Sequence, residues 1–362
     1  MSLKRTPLFD AHVALGARMV DFGGWEMPLQ YPTGILAEHH AVRKAVGIFD
    51  VSHMGEIRVR GSQSLAFLDW LTPNGVGALP PGRIQYTGLL TERGTFVDDL
   101  LLHKVDDRDF LLVVNASNAG KDLAWIRSHA SAWDVEVLDE SAVTGQVALQ
   151  GPVSAAVLQP LVDIELGRIR YYGFAQGTFQ GVPVLIARTG YTGEDGFEVY
   201  CPVERTPWVW ETLLEQGRPQ GLLPTGLGCR NTLRLEAKMA LYGHEIDDGI
   251  SALEADLGWI LRFSKGDFLG RDALAAQRER GLVRVLVGFR MMEKGDIARD
   301  HMPVAEGGHV TSAAPSPTLG RNIGLALVPI ALADLGSRIH IEIRGRACPA
   351  EVIPTPFYVR AR

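Results

Sequence analysis

Two adjacent carboxylates, Asp98 and Asp99, interrupt the otherwise apolar run Gly94-Thr95-Phe96-Val97-Asp98-Asp99-Leu100-Leu101-Leu102-His103. The run has strand texture, and side chains along a strand alternate between its two faces. Phe96, Asp98, Leu100 and Leu102 therefore share one face, and Val97, Asp99, Leu101 and His103 the other. Whichever face is inward, one carboxylate enters apolar surroundings, where its charge is costly unless paired or used. Parity does not say which aspartate points inward. A strand end with both carboxylates in water is the competing reading.

Two further groups could do chemistry. Arg188 to Cys201 (RTGYTGEDGFEVYC) reads as two strands joined by a glycine-rich loop, with Phe197 and Val199 on one face and Glu198 and Tyr200 on the other. A carboxylate beside an aromatic ring, after a loop that admits close backbone approach, suits a flat heterocycle with adjacent N–H donors. A solvated strand face is the alternative. Arg230, Arg234 and Lys238 recur at i, i+4, i+8 and would form one basic stripe on a helix. Such a stripe can meet an acidic ligand tail, or it can be an exposed face paired with Glu236.

Elements must position these groups. Helices are expected over Ile35–Ala45, Leu65–Leu71, Ser117–Ser128 with Ser117 as cap, a segment opened by Thr206-Pro207 and closed by Gly217, and Gly228–Leu241. Strands are expected over Ile48–Arg60 with a bulge at Gly55, then Ile84–Leu90, Phe96–Val105 and Phe110–Val114, with Thr91–Gly94 as a turn. From Arg284 onward, short strands broken by Gly-Gly, Pro-Ser-Pro and Gly-Ser read as a small all-β barrel or sandwich. The class is α+β, with residues 1–280 forming one region of two intertwined subdomains and 281–362 the C-terminal β domain.

Composition narrows the function. With 46% apolar and 22% charged residues the chain reads as a globular protein. A formal net charge of −6 argues against a general nucleic-acid or anionic-membrane binder. No apolar stretch approaches the about 20 residues of a membrane span, and no secretory or transit segment stands out, so a cytoplasmic protein is expected, or a matrix protein if processed from an organellar precursor. Cys201, Cys229 and Cys348 are odd in number and far apart, which suggests buried thiols rather than a disulfide or zinc framework. There is no dinucleotide fingerprint, P-loop, H-E-x-x-H or G-x-S-x-G, and the adjacent His39 and His40 project in different directions, so no metal site is expected.

Seven stretches, in order along nearly the whole chain, resemble the aminomethyltransferase (T-protein) family of the glycine cleavage system. They are "RTPLFDAHVALGARMVDFGGWEMPLQY" at 5–31, "VRKAVGIFDVSHMGE" at 42–56, "VDDL" at 97–100, "VNASN" at 114–118, "ARTGYTGEDGFE" at 187–198, "GLGCRNTLRLE" at 226–236 and "TSAAPSPTLGRNIGLAL" at 311–327. The resemblance implies a three-domain fold with a central folate-binding channel. It implies transfer of a one-carbon unit from an aminomethyl-dihydrolipoyl arm, carried by a lipoyl-bearing H-protein, to tetrahydrofolate, with ammonia released and no metal required. Carried over by position, it assigns the functional carboxylate to Asp99, the pterin-edge acceptor to Glu198 and a folate-contacting cation to Arg230. Tyr86, Met54, Asn115 and Tyr191 become pocket lining, and Trp259 a wall.

Two other readings share this fold. One is a different folate-dependent demethylase, which the full run of motifs argues against. The other is a non-catalytic folate-binding iron–sulfur assembly factor, which carries a cysteine motif where this chain has Lys265-Gly266-Asp267-Phe268.

Overall fold

The computed structural model describes residues 2–361, arranged as two compact units. Among the described residues the first comprises 2–67, 76–86 and 100–231; the second comprises 68–75, 87–99 and 232–361.

The first unit is built on a six-stranded sheet in the order Phe174–Phe179, Val182–Ala187, Gly196–Pro202, Thr144–Gln150, Gly47–Asp50, Leu223–Pro224. Alternation along its strands sorts the side chains. Ile48, Val147, Leu149, Ile186, Phe197, Val199 and Cys201 point to one side and join a large apolar core with Trp210 and Leu213 of the helix Thr206–Gly217. Leu185, Ala187 and Tyr200 point to the other side, where they pack on Ile84, Leu111 and Val113. Those three belong to a five-stranded sheet in the order Arg83–Leu90, Phe96–Asp106, Asp109–Val114, Gly55–Arg60, Glu136–Asp139.

The second unit contains the five-stranded sheet His309–Ser316, Arg321–Pro329, Arg284–Met291, Arg346–Ile353, Arg338–Ile343, all antiparallel, around a core that includes Phe289, Ile339 and Val352. The expected all-β texture from Arg284 is thus observed, preceded by the helix Arg271–Arg280.

Three element expectations are corrected. Ile48–Arg60 is two strands, Gly47–Asp50 and Gly55–Arg60, which enter different sheets; a turn through 51–54, closed by the Met54 N–H on the Val51 carbonyl, separates them. The helix after Asn115 runs Ala119–Ala130, with Asn118 rather than Ser117 at its N-cap and no side-chain cap bond. The helix expected over Gly228–Leu241 is Leu227–Glu236, and Lys238 beyond it has positive φ. None of the helices among the described residues is long and apolar enough to cross a membrane. All three cysteines are buried free thiols.

Candidate functional site

Glu198 lies mid-sheet in the strand Gly196–Pro202, opposite Ala187 on one neighbour and Ala148 on the other. Two short side chains beside it leave its carboxylate room. It is 7% exposed, and the Thr189 hydroxyl donates to Oε2. Burial raises this carboxyl above its ordinary value, while the Thr189 hydrogen bond and the charge of Arg230 pull the other way. The Arg230 guanidinium lies 4.5 Å from the Tyr191 ring centroid, within cation–π range. Glu198, Arg230 and Tyr191, separated in sequence, therefore meet in one electrostatic group.

The helix that carries Arg230 is seated by backbone contact. A Cβ on Gly226 would lie 2.4 Å from the Leu29 carbonyl oxygen, and one on Gly228 would lie 2.5 Å from the Ile35 side chain. Glu38 holds the same junction, accepting from the Tyr31 N–H at 2.6 Å and the Gly226 N–H at 3.0 Å.

The glycine-rich loop before Glu198 is packed against Gln150 of the neighbouring strand. Gln150 threads it: its amide donates to the Thr189 carbonyl at 3.0 Å and its Oε1 accepts from the Thr192 hydroxyl at 2.9 Å. A Cβ on Gly190 would fall 1.9 Å from Gln150 Oε1, and one on Gly196 would fall 2.4 Å from Nε2. Gly190 and Gly196 make space for the Gln150 side chain. Arg43 to Glu194 at 2.9 Å and the two-pronged Arg188–Asp195 pair finish pinning the loop.

The remaining predicted residues are placed as follows. Met54 is half-buried and packs on the cluster of Ile84, Leu111, Val113 and Tyr200. Tyr86 is half-buried on the strand Arg83–Leu90. Asn115 follows the strand Asp109–Val114, and its carbonyl accepts the Asn118 N–H. Asp99 is half-buried in the second unit, whereas its neighbour Asp98 is fully buried, with Phe96 and Leu100 on its face. The turn that aims this strand is closed by the Gly94 N–H on the Thr91 carbonyl, with Gly94 at φ +76. Trp259 is 57% exposed, on a short 3-10 turn.

The basic stripe does not form. Lys238 falls beyond the helix and pairs with Asp256, while Arg234 is buried between Glu245 and Ser312, each at 2.8 Å. Glu236 is also buried and accepts from Ser316 and Thr318. Only Arg230 of the three joins Glu198.

A buried polar set went unread in the sequence. The Thr6 hydroxyl donates to Asp50 at 2.6 Å, His12 Nε2 lies 2.9 Å from the same carboxylate, and the Tyr31 hydroxyl lies 2.9 Å from His12 Nδ1. Burial by itself would raise the Asp50 carboxyl, but His12 and Thr6 bring it below its ordinary value. His53 is 2% exposed; burial and the Arg230 charge push it down to about 4, against the pull of Asp50. The only signal for this set was a scatter of polar residues in apolar segments, which carries no pairing information.

Family-level similarity extends over nearly the whole chain. Residues 8–265 match the GCVT N-terminal domain, and residues 284–358 match the glycine cleavage T-protein C-terminal barrel domain. A protein of Symbiobacterium thermophilum named "Aminomethyltransferase" is 50% identical over 368 residues, covering 99% of this chain and 98% of its own. One from Desulfitobacterium hafniense (strain DSM 10664 / DCB-2) with the same name is 48% identical, covering 99% of each. The crystal structure of glycine cleavage system aminomethyltransferase T from Bartonella henselae superposes with a TM-score of 0.93 at 33% identity, over 99% of this chain and 98% of that one. A seven-motif resemblance, the matched domains and the full-length fold agree, and the chain belongs to the aminomethyltransferase (T-protein) family of the glycine cleavage system.

Proposed function

We propose that this aminomethyltransferase uses Glu198, Arg230 and Tyr191 to hold tetrahydrofolate, and Asp99 to assist transfer from an aminomethyl-dihydrolipoyl arm on a partner H-protein. In the reaction the C–S and C–N bonds of the aminomethyl group break, and the methylene carbon forms two bonds to folate nitrogens. The two folate N–H protons leave on ammonia and on the freed thiol. Glu198 accepts the paired N–H donors of the pterin edge, and Arg230 balances its charge. Asp99 faces a cationic iminium carbon and orients the attacking amine, so that no covalent protein nucleophile is needed. Met54, Asn115 and Tyr86 line the pocket and Trp259 walls it. The protein works in the cytoplasm without a metal, and its C-terminal β domain begins at 281.

The observation that supports this most is the incompletely satisfied Glu198: a carboxylate 7% exposed, with one hydroxyl donor and a nearby guanidinium, and acceptor capacity left over. Calorimetric titration of tetrahydrofolate into Glu198→Ala tests it. Affinity should fall about 10- to 100-fold, the loss of charge-assisted hydrogen bonds worth about 1.5–3 kcal/mol. Unchanged affinity would remove Glu198 from the folate site. A reconstituted assay with aminomethylated H-protein should release ammonia, and equal turnover with free methylamines would redirect the donor assignment.

A further inference from the structure

Glu56 is a carboxyl with nowhere to put a charge. It sits on the strand Gly55–Arg60 opposite Val113, on the face of that sheet which meets Tyr200 of the other. It is 1% exposed, and neither of its carboxyl oxygens has a hydrogen-bond partner among the described residues.

Burial and the charges nearest Glu56 work against ionisation there. From the strand Glu136–Asp139 and the turn after it, Asp139 and Glu140 act on Glu56 with like charge. From the strand Gly196–Pro202, Tyr200 shares its face with Glu198 and packs on Val113, the residue opposite Glu56, and it feels the charges of both carboxyls. On its own strand, Arg58 is already committed through both prongs to Asp109. From the strand Phe96–Asp106, His103 is neutral, pushed down to about 4 by burial. Arg230 is a cation that acts on the Glu198 carboxyl.

The hydrogen-bond inventory agrees. Gln146 donates its amide to the Tyr200 hydroxyl at 3.0 Å, and Gln146 Oε1 is buried with no partner among the described residues. With the two Glu56 oxygens that makes three unmet acceptors on this face among the described residues, against one unmet donor, the N–H of the neutral His103 ring, whose two nitrogens are also unpartnered. One added proton converts an acceptor into a donor and removes a buried charge.

We infer that Glu56 is a positioning residue of the folate site: it holds a proton, so that Glu198 alone carries negative charge against Tyr200 and faces Arg230 and the pterin. This rests on the reading of Glu198 as pterin acceptor. Loss of the Glu56 proton would add a second anion acting on Tyr200. Tyr200 and the pterin-facing Glu198 carboxylate would then be pushed off their places, and folate would bind less well. Burial and the charges of Asp139 and Glu140 hold the Glu56 carboxyl far above the usual carboxylate range, in the same sense.

Two measurements on the full-length protein test this. Infrared difference spectra of the folate-free protein at pH 7 should contain a protonated-carboxyl band that disappears in Glu56→Gln and persists in Glu198→Gln. Tetrahydrofolate titrations from neutral to alkaline pH should show Glu56→Gln binding within about twofold of wild type at pH 7, since the amide mimics the neutral acid. The wild type should then lose affinity relative to the variant as pH rises. Glu56→Met, neutral and of similar length, should share the variant's flatter profile if Glu56→Gln does not fold. A Glu56→Gln spectrum that keeps the band, or parallel alkaline profiles in wild type and variant, would overturn the inference. The two readings fail differently: undiminished folate binding by Glu198→Ala removes the pterin assignment, whereas the infrared band reports the Glu56 proton with no folate present.

Discussion

Asp98 and Asp99 show how little a residue type says without its surroundings. Adjacent and identical, they end with opposite environments: Asp98 is fully buried and Asp99 half-buried. A half-buried carboxylate can reach a substrate and still avoid full hydration, which suits the electrostatic role proposed for Asp99. The substitution Asp99→Asn keeps the shape and removes the charge. It should leave tetrahydrofolate affinity within a few-fold and lower turnover by about 10²–10³. Steady-state ammonia release paired with a binding titration separates the two effects; wild-type turnover would strip Asp99 of its role. The same substitution at Asp98 removes a fully buried charge and should be read first in a melting curve rather than in turnover.

At the scale of elements, the loop Arg188–Asp195 owes its form to Gln150 of the neighbouring strand. Gly190 is set by packing, as the 1.9 Å clash of a Cβ there with Gln150 makes plain, whereas Gly193 has positive φ. Gly190→Ala should therefore destabilise the protein by about 1–3 kcal/mol through overpacking. The double variant Gly190→Ala with Gln150→Ala relieves the clash but gives up the two Gln150 hydrogen bonds, and should recover a large part of that loss. Urea melts of the four-member cycle measure the coupling, and strictly additive losses would show that the loop yields without meeting Gln150. The helix Leu227–Glu236 teaches a similar lesson. Its i, i+4 spacing was legible, but the positive φ of Lys238 just past its end, and the burial of Arg234 with Glu245, depend on partners far along the chain.

For the whole molecule, buried histidines tie stability to pH. His103 is fully buried, with Phe174 and Tyr200 edge-on at 5.5 and 5.8 Å, and burial takes it from 6.5 to about 4. Between those values the unfolded chain binds a proton there that the native state does not. The contribution is thus complete above pH about 6.5 and is lost progressively as pH falls toward about 4. His103→Phe removes this titration and leaves other groups in place. Its unfolding free energy should fall less steeply than wild type over that window, by about 1.4 kcal/mol per pH unit. Denaturant melts at several pH values check it, and parallel curves would refute it.

Pattern and composition alone carried the class, the all-β texture after Arg284, the strand parity that put Glu198 with Tyr200, and the buried thiols, because these depend on period, turn chemistry and polarity within a short window. Ordered motifs carried the family. Tertiary structure alone decided that Gly47–Asp50 and Gly55–Arg60 part into different sheets, that Arg230 rather than Arg234 answers Glu198, that Gln150 occupies the glycine loop, and that Glu56 is stranded without a partner. Each of those outcomes turns on desolvation and pairing between residues remote in the chain, and the free energy of a buried charge is set by what surrounds it in space rather than by what precedes it in sequence.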